Sequence, residues 1–391
     1  MFTRFFTFLA LSLFLGLPAH ARVQLGIDVL AQDGYAALQG KRVGLITNQT
    51  GIDSSGTRTR VLLKRNTNLV ALYTPEHGLD GTELAGKYVK SRRDPITGVM
   101  AHSLYGPTRK PTPAMLAGVD VLVFDMQDIG CRSYTYISTM GRCMEAAGEA
   151  GIPFVVLDRP NPLGGNRIEG PSVESRWISF VGQFPVPYVH GMTTGELAKM
   201  ANAKGWTGAR CNLTVVPMRG WSRNQTWENT GLRWIRTSPN IPRGTSPFYY
   251  VATGIIGSLS GVDIGVGGPL PFEYVRSSAV DSASLTRYLR SLDMPGVRFS
   301  EHAGGSRLHI NPDAPANLTA INLHLIEAIN RRGGKLFGRT PAGKMDIFTK
   351  VYGSTSLRTR LQSGASASSI VASWRANEQS FRRERASYLL Y

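Results

Sequence analysis

Four segments of this chain, Arg42–Thr47, Asn68–Thr74, Val119–Met126 and Pro153–Asp158, are continuously apolar and rich in β-branched residues, with no alternation of apolar and polar positions. Successive side chains of a strand point to opposite faces, so an unbroken apolar run must be covered on both sides. That is the pattern of a parallel sheet sandwiched between helices. Helices fit the intervals. Thr57–Arg65 comes after the first run, and Thr135–Ala150 carries Ile137, Met140, Met144 and Ala147 at helical spacing. The pattern predicts a doubly wound α/β domain. Neither G-x-G-x-x-G nor G-x-x-x-x-G-K-[ST] occurs, so the sheet does not announce a nucleotide.

Each run leads into a polar, turn-forming loop: Thr47-Asn48-Gln49-Thr50-Gly51, Thr74-Pro75-Glu76-His77-Gly78, Asp125 to Gly130, and Asp158 to Gly165. All four are carboxyl-end loops, which in an open parallel sheet converge on one edge, where ligands bind. Glu76, Asp128, Arg159 and Asn161 are therefore expected to share a crevice. Further along, Thr193 or Thr194 caps a helix over Gly195–Lys204 after His190, and a strand is expected at Asn212–Met218. Trp221, Trp227 and Trp234 fall in a long loop region, where they either stack on sugar faces or pin the loops. From about residue 262 the pattern turns to mixed α+β, with strands at Val262–Val266 and Arg307–Ile310 and helices at Ser282–Leu292, Ala316–Arg331 and Ala367–Arg385. We divide the chain into domains at 22–261 and 262–391.

Arg4, the apolar run Phe5–Leu17 and Ala19-His20-Ala21 read as a signal peptide over residues 1–21. No later stretch approaches the roughly 18 apolar residues of a membrane span. The expected location is periplasmic or secreted, with no integral membrane segment after cleavage. The formal charge of +17 would draw the protein toward polyanions. Its lysines and arginines are scattered, without the aromatic-interleaved basic block of a nucleic-acid binder. Cys131, Cys143 and Cys211 form no C-x-x-C, no His pair sits at i, i+4, and three cysteines leave at least one unpaired unless the chain dimerises through it. Oligomeric state is left open by the sequence.

Glycoside hydrolysis needs one carboxyl group held protonated for the leaving oxygen and a second group, usually a carboxylate, as base or nucleophile. Glu76, after a buried strand and beside His77, is the candidate acid, since partial burial would raise its pKa. Asp128 and Glu273 are candidates for the second carboxylate, and each, like Asp158, has the alternative of a structural ion pair. Serine chemistry is disfavoured: Gly257-Ser258-Leu259-Ser260-Gly261 has Leu at the centre of the nearest approach to a nucleophile elbow, and no S-x-x-K occurs. Metal-assisted hydrolysis by His77, Asp128 and His190 has no supporting spacing. We expect no metal and no cofactor.

Several motifs together resemble a known family: G-I-D-V-L (26–30), K-R-V-G-L-I-T-N-Q-T-G (41–51), P-E-H-G (75–78), S-L-Y-G-x-T-R-K-P-T (103–112), V-F-D-M-Q-D-I-G (123–130), Y-T-Y-I-S-T-M (134–140), D-R-P-N-P-L-G-G (158–165), H-G-M-T-x-G-E-L-A (190–198), S-P-N-I-P (238–242) and the closing Y-L-L-Y. The chain is similar to the exo-β-N-acetylmuramidases, glycoside hydrolase family 171, formerly domain of unknown function 1343. The resemblance spans nearly all of the chain after residue 21. It implies a Rossmann-like domain followed by a smaller C-terminal α+β domain, and release of terminal N-acetylmuramic acid from the non-reducing end of peptidoglycan fragments. On that basis Asn48, His77, Arg132, Tyr134, Arg159, Asn161, His190 and Asn240 are candidate substrate-binding residues. Arg132, whose planar fork suits a carboxylate, is the expected reader of the sugar's lactyl group.

Two stretches depart from the family's pattern. Similar proteins often read E-G-T-N-x-S-V-G-R-G where this chain has Ser258 to Gly267, which loses a carboxylate and an arginine, and H-G-F-R-G has become His77-Gly78-Leu79-Asp80-Gly81. These losses also suit an exported binding protein that captures a wall sugar or muropeptide without turnover. An amidase or esterase acting on wall material is a third reading.

Overall fold

The computed structural model describes residues 22–84 and 86–391. The expected signal peptide, residues 1–21, lies outside them. A seven-stranded sheet is built from β1 (Arg42–Thr47), β2 (Asn68–Thr74), β3 (Arg92–Arg93), β4 (Met100–Ser103), β5 (Val121–Asp125), β6 (Phe154–Leu157) and β9 (Leu213–Val216) in the order β3-β4-β2-β1-β5-β6-β9. All neighbours are parallel except β3, which runs antiparallel to β4 at the edge. The chain moves outward from β1 through β2 to β4, then returns to β5 and continues through β6 to β9. The reversal places the switch point between β1 and β5, which pair from Val43–Val121 to Thr47–Asp125.

The continuous apolar runs divide between the two faces as their alternation requires. Val43, Leu45, Leu72, Val121, Val123 and Val155 pack in one cluster with Ile27 and Leu63. Ile46, Tyr73, Leu122, Phe124, Phe154 and Val156 pack in the other, with helix Tyr136–Ala150. That second cluster continues without interruption to Leu323, Ile326 and Phe348, so the C-terminal region shares a core with the sheet domain. Helix Ser246–Thr253 lies at this junction, where Asn322 Nδ2 donates to the Val251 carbonyl at 2.8 Å.

Two smaller sheets complete the fold: β7 (Glu169–Ser172) with β8 (Pro187–Val189), and the antiparallel set β10 (Tyr274–Val275), β12 (Gly305–Ile310) and β11 (Val297–His302). The expected strand at Val262–Val266 is absent. Gly265 and Gly267 sit at φ +77° and +83°, and only a bridge from Asp263 to Arg276 remains. The expected helix Ala367–Arg385 is two helices, Ala367–Ala372 and Arg375–Arg385. Between them Ser373 and Trp374 bond back three residues, to Ile370 and Val371. This tighter turn accompanies a buried Trp374 whose Nε1 donates to Tyr352 Oη at 3.3 Å. Thr193 is the cap of helix Thr194–Lys204, in a capping box with Glu196. All three cysteines are free and buried.

Candidate active site

Glu76 leaves the carboxyl end of β2 on a tight turn closed by the Gly78 amide on the Pro75 carbonyl. His77 is held at φ +69°, a conformation L-residues avoid, and its Nδ1 hydrogen-bonds the Glu83 carbonyl at 2.7 Å while the Glu83 amide returns to the His77 carbonyl. Strain of this kind at a strand's carboxyl end marks a place where the fold fixes a side chain's direction. The side chain fixed here is that of Glu76. Its Oε1 accepts the Gly86 amide at 2.8 Å and its Oε2 the Thr135 hydroxyl at 3.1 Å, and the residue stays partly exposed.

Glu76 lines a cavity of about 360 Å³ with His77, Tyr105, Arg109, Ser133, Tyr134, Thr135, Tyr136, Phe180, Val181, Ser238, Asn240, Ile241, Tyr250, Phe272, Ile347 and Val351. That volume is at the small end for ligand pockets, which run about 300–1,000 Å³, and it suits one compact ligand better than a long chain. Its floor is aromatic. Tyr134 meets Tyr136 edge-on at 4.9 Å between ring centres and Tyr250 at 6.0 Å, and Tyr250 meets Phe272 at 5.0 Å. The phenols are anchored: Tyr134 Oη donates to Thr237 Oγ1 at 2.8 Å, Tyr136 Oη to the Thr237 carbonyl at 2.5 Å, and Tyr250 Oη pairs with Ser133 Oγ at 3.0 Å. Burial and then the neighbouring Glu76 carboxylate push the Tyr105 phenol up to about 12. Burial raises Tyr134, Tyr136 and Tyr250 as well, so these phenols are neutral, and the rings, set edge to face, offer a sugar an aromatic surface with polar edges.

Of the candidates drawn from the sequence, Glu76, His77, Tyr134 and Asn240 reach this lining. Asp128 is not among the lining residues. The Asp128 and Glu76 charges both raise the Tyr136 phenol, but Asp128 is buried, with Oδ1 accepting the Gly130 amide at 2.8 Å and Oδ2 facing no partner among the described residues. Burial pushes its pKa up to about 7 against the pull of the Gly130, Ile129 and Ile137 amides.

Glu273 is not among the lining residues and is held between Arg243 and Arg307, the latter at 3.1 Å. Asp158 is also buried and takes Thr193, Gly195 and Tyr391 as donors. Arg159 grips Asp125 with Nε at 2.5 Å and Nη2 at 2.9 Å and borders a separate recess of about 80 Å³ with Gln127 and Trp227.

Asn48 and Asn161 fold back on their own loops. Asn48 Oδ1 accepts the Thr50 amide and hydroxyl, and Asn161 Oδ1 accepts the Leu163 amide while Nδ2 donates to the Met192 carbonyl. A side chain at Gly130 would place its Cβ 2.1 Å from Asn161 Oδ1, which is why these two loops can touch only through a glycine. His190 is buried, its pKa lowered to about 3 by burial and then by Arg385 and Arg132.

Arg132 does not read a ligand. It is fully buried, and its two terminal nitrogens donate to four carbonyls, those of Pro171, Val186, Val351 and Tyr352, at 2.7 to 3.0 Å. With both terminal nitrogens given to four acceptors from three separate segments, only the buried Nε is without a partner among the described residues, and a single N–H offers no fork to a carboxylate. The tryptophans pin loops: Trp221 packs edge-on against Tyr391, and Trp227 against Trp234. Asp80, where the family more often has arginine, is paired with Arg58, Arg60 and Arg92 at 3.3, 3.1 and 2.6 Å. The lining residues that sequence reasoning misses are chiefly Tyr105, Arg109 and Tyr250. The first two sit in S-L-Y-G-x-T-R-K-P-T, directly after β4, so a carboxyl-end loop is the signal that could find them.

The family model for the N-terminal part of exo-beta-N-acetylmuramidase NamZ matches residues 43–245, and the model for its C-terminal part matches 248–391. A peptidoglycan beta-N-acetylmuramidase NamZ of Bacillus subtilis (strain 168) is 42% identical over 385 residues, covering 95% of this chain and 92% of the relative. Two crystal structures of DUF1343 family proteins from Bacteroides fragilis NCTC 9343 are also similar. One has a TM-score of 0.88 at 42% identity over 95% of this chain and 99% of its own. The other scores 0.67 at 28% over 94% and 99%.

Proposed function

This chain belongs to the exo-beta-N-acetylmuramidase NamZ family, and from that premise we infer that it is a glycosidase releasing terminal N-acetylmuramic acid from the non-reducing end of peptidoglycan fragments. The observation that carries the reading is Glu76, a carboxyl group pinned at both oxygens yet partly open to a small, tyrosine-floored cavity. In the reaction we assign, Glu76 protonates the glycosidic oxygen as the bond to the anomeric carbon breaks. The aglycone leaves as an alcohol and water completes the sugar.

For the second carboxylate the surroundings favour Asp128 over Glu273. Two arginines occupy Glu273, whereas Asp128 has no ion pair among the described residues and its charge bears on the phenols of Tyr134 and Tyr136. Asn240 and Tyr134 fit substrate-binding roles at the rim and floor. We further propose that the protein works outside the cytoplasm, periplasmic or secreted, as the sequence of residues 1–21 suggests. The test is incubation with a disaccharide whose non-reducing end is N-acetylmuramic acid, and then analysis for the free sugar. Tight binding without release would favour an exported binding protein instead.

A further inference from the structure

We propose that Arg109 is the residue that recognises the carboxylate on the lactyl ether of the terminal sugar. The proposal rests on the glycosidase reading above and assigns the specificity contact within its cavity. A sugar bearing a carboxylate brings a full negative charge into a pocket floored by rings, and such a charge needs a cation to replace its lost water. Arg109 is the arginine that lines the cavity, and the four others weighed above are committed. Arg132 holds four carbonyls, Arg159 holds Asp125, and Arg243 and Arg307 hold Glu273. Arg109 is on the lining, is exposed, and makes no ion pair or hydrogen bond among the described residues.

Arg109 is nonetheless positioned. Its guanidinium carbon lies 4.3 Å from the centre of the Phe180 ring and 5.0 Å from that of Tyr105, two rings 6.3 Å apart and tilted by 51°. Aromatic faces attract a guanidinium and restrict its stem without using its N–H groups, so the fork remains available to a bidentate acceptor. Tyr105 also stands beside Glu76, whose charge raises its phenol. The cation and the acid are thereby joined through one ring, which suits a ligand whose carboxylate and scissile bond belong to the same sugar.

The experiment compares 4-nitrophenyl N-acetyl-β-muramide with its lactyl carboxamide, which is close in shape and uncharged, on the full chain and on Arg109→Gln and Arg109→Lys. Expected is a fall in kcat/KM of about ten- to a hundredfold on the acid for Arg109→Gln, the range of a charge-assisted hydrogen bond, with the amide changed by less than about twofold. Arg109→Lys should recover part of the loss, since it keeps the charge without the planar fork. Equal losses on both substrates, or no loss on either, would overturn the assignment.

Calorimetric binding of free N-acetylmuramic acid and N-acetylglucosamine keeps this result separate from the glycosidase reading. Arg109-dependent preference for the acid without turnover would leave the contact standing and remove the activity. Turnover with no preference between acid and amide would do the reverse. Neither binding nor turnover would remove both.

Discussion

The Thr135 hydroxyl donates to Glu76 Oε2 at 3.1 Å, so the residue at the N-terminal boundary of helix Tyr136–Ala150 also sets the direction of the carboxyl group facing the cavity. The long helix after β5 thus reaches across the switch point to a loop after β2.

Glu76→Gln should reduce release of N-acetylmuramic acid by roughly 10²–10⁴-fold, the worth of general acid catalysis, with little change in thermal stability. The amide keeps one oxygen to accept from Gly86 or Thr135 but has no proton to give the leaving group. A variant with most of its activity would remove Glu76 from the acid's role.

Arg132→Met should be a stability variant. It strips four carbonyls of their donor, three of them in buried hydrogen bonds, which costs about 3 kcal/mol or more at about 1–3 kcal/mol per unpaired buried group. Urea unfolding should show a clearly lower midpoint, with the ratio of kcat/KM on acid and amide substrates unchanged in the folded fraction. A changed ratio at unaltered stability would instead return Arg132 to the ligand.

The pH dependence of stability should carry the signature of Asp128. Its pKa rises from 3.8 to about 7 in the folded chain, so between those values the folded state holds a proton that the unfolded state has released. Its contribution is therefore complete below about pH 4 and is lost as pH climbs through 7, on the order of 4 kcal/mol over the window. Asp158, raised by burial to about 6, acts in the same direction, so the diagnostic quantity is the difference between the wild type and Asp128→Asn. That difference should slope between pH 4 and 7 and flatten above; a difference constant across the range would contradict the buried, raised acid.

Tyr391→Phe should cost about 1–3 kcal/mol in urea unfolding. Its hydroxyl donates to Asp158 Oδ2 and accepts the Met218 amide, both at 2.8 Å, in a half-buried position against Trp221. An unchanged midpoint would mean that water replaces both bonds freely.

The parallel sheet is legible in the sequence because runs such as Val121–Asp125 admit no solvent face, and the carboxyl-end loops are implied by it. Glu76 could be found by that route alone. The route fails for Asn48, Asn161 and Arg159. A loop at the right edge says nothing of whether its side chain turns outward or back onto its own backbone, and Asn in particular satisfies neighbouring amides. Short β4 gives too weak a pattern to reveal that Tyr105 and Arg109 also come after a strand end. Ile347 and Val351 come from a helix more than two hundred residues away, and no local periodicity records which cavity a distant helix will wall. Arg132 misleads because a motif beside the site looks the same whether its cation faces a ligand or a backbone.

That cation also limits how the enzyme can move. The Arg132 fork binds carbonyls beside β8 in the sheet domain and the end of helix Ala342–Tyr352, whose Val351 lines the cavity. Drawing the two regions apart would expose four carbonyls and a guanidinium at once, so the pocket cannot operate as a pair of jaws that open and shut on a polymer. The walls behave as a fixed socket. A saccharide has to present its end to it, and the exposed Arg109 side chain, which has no ion pair or hydrogen bond among the described residues, can adjust as that end enters.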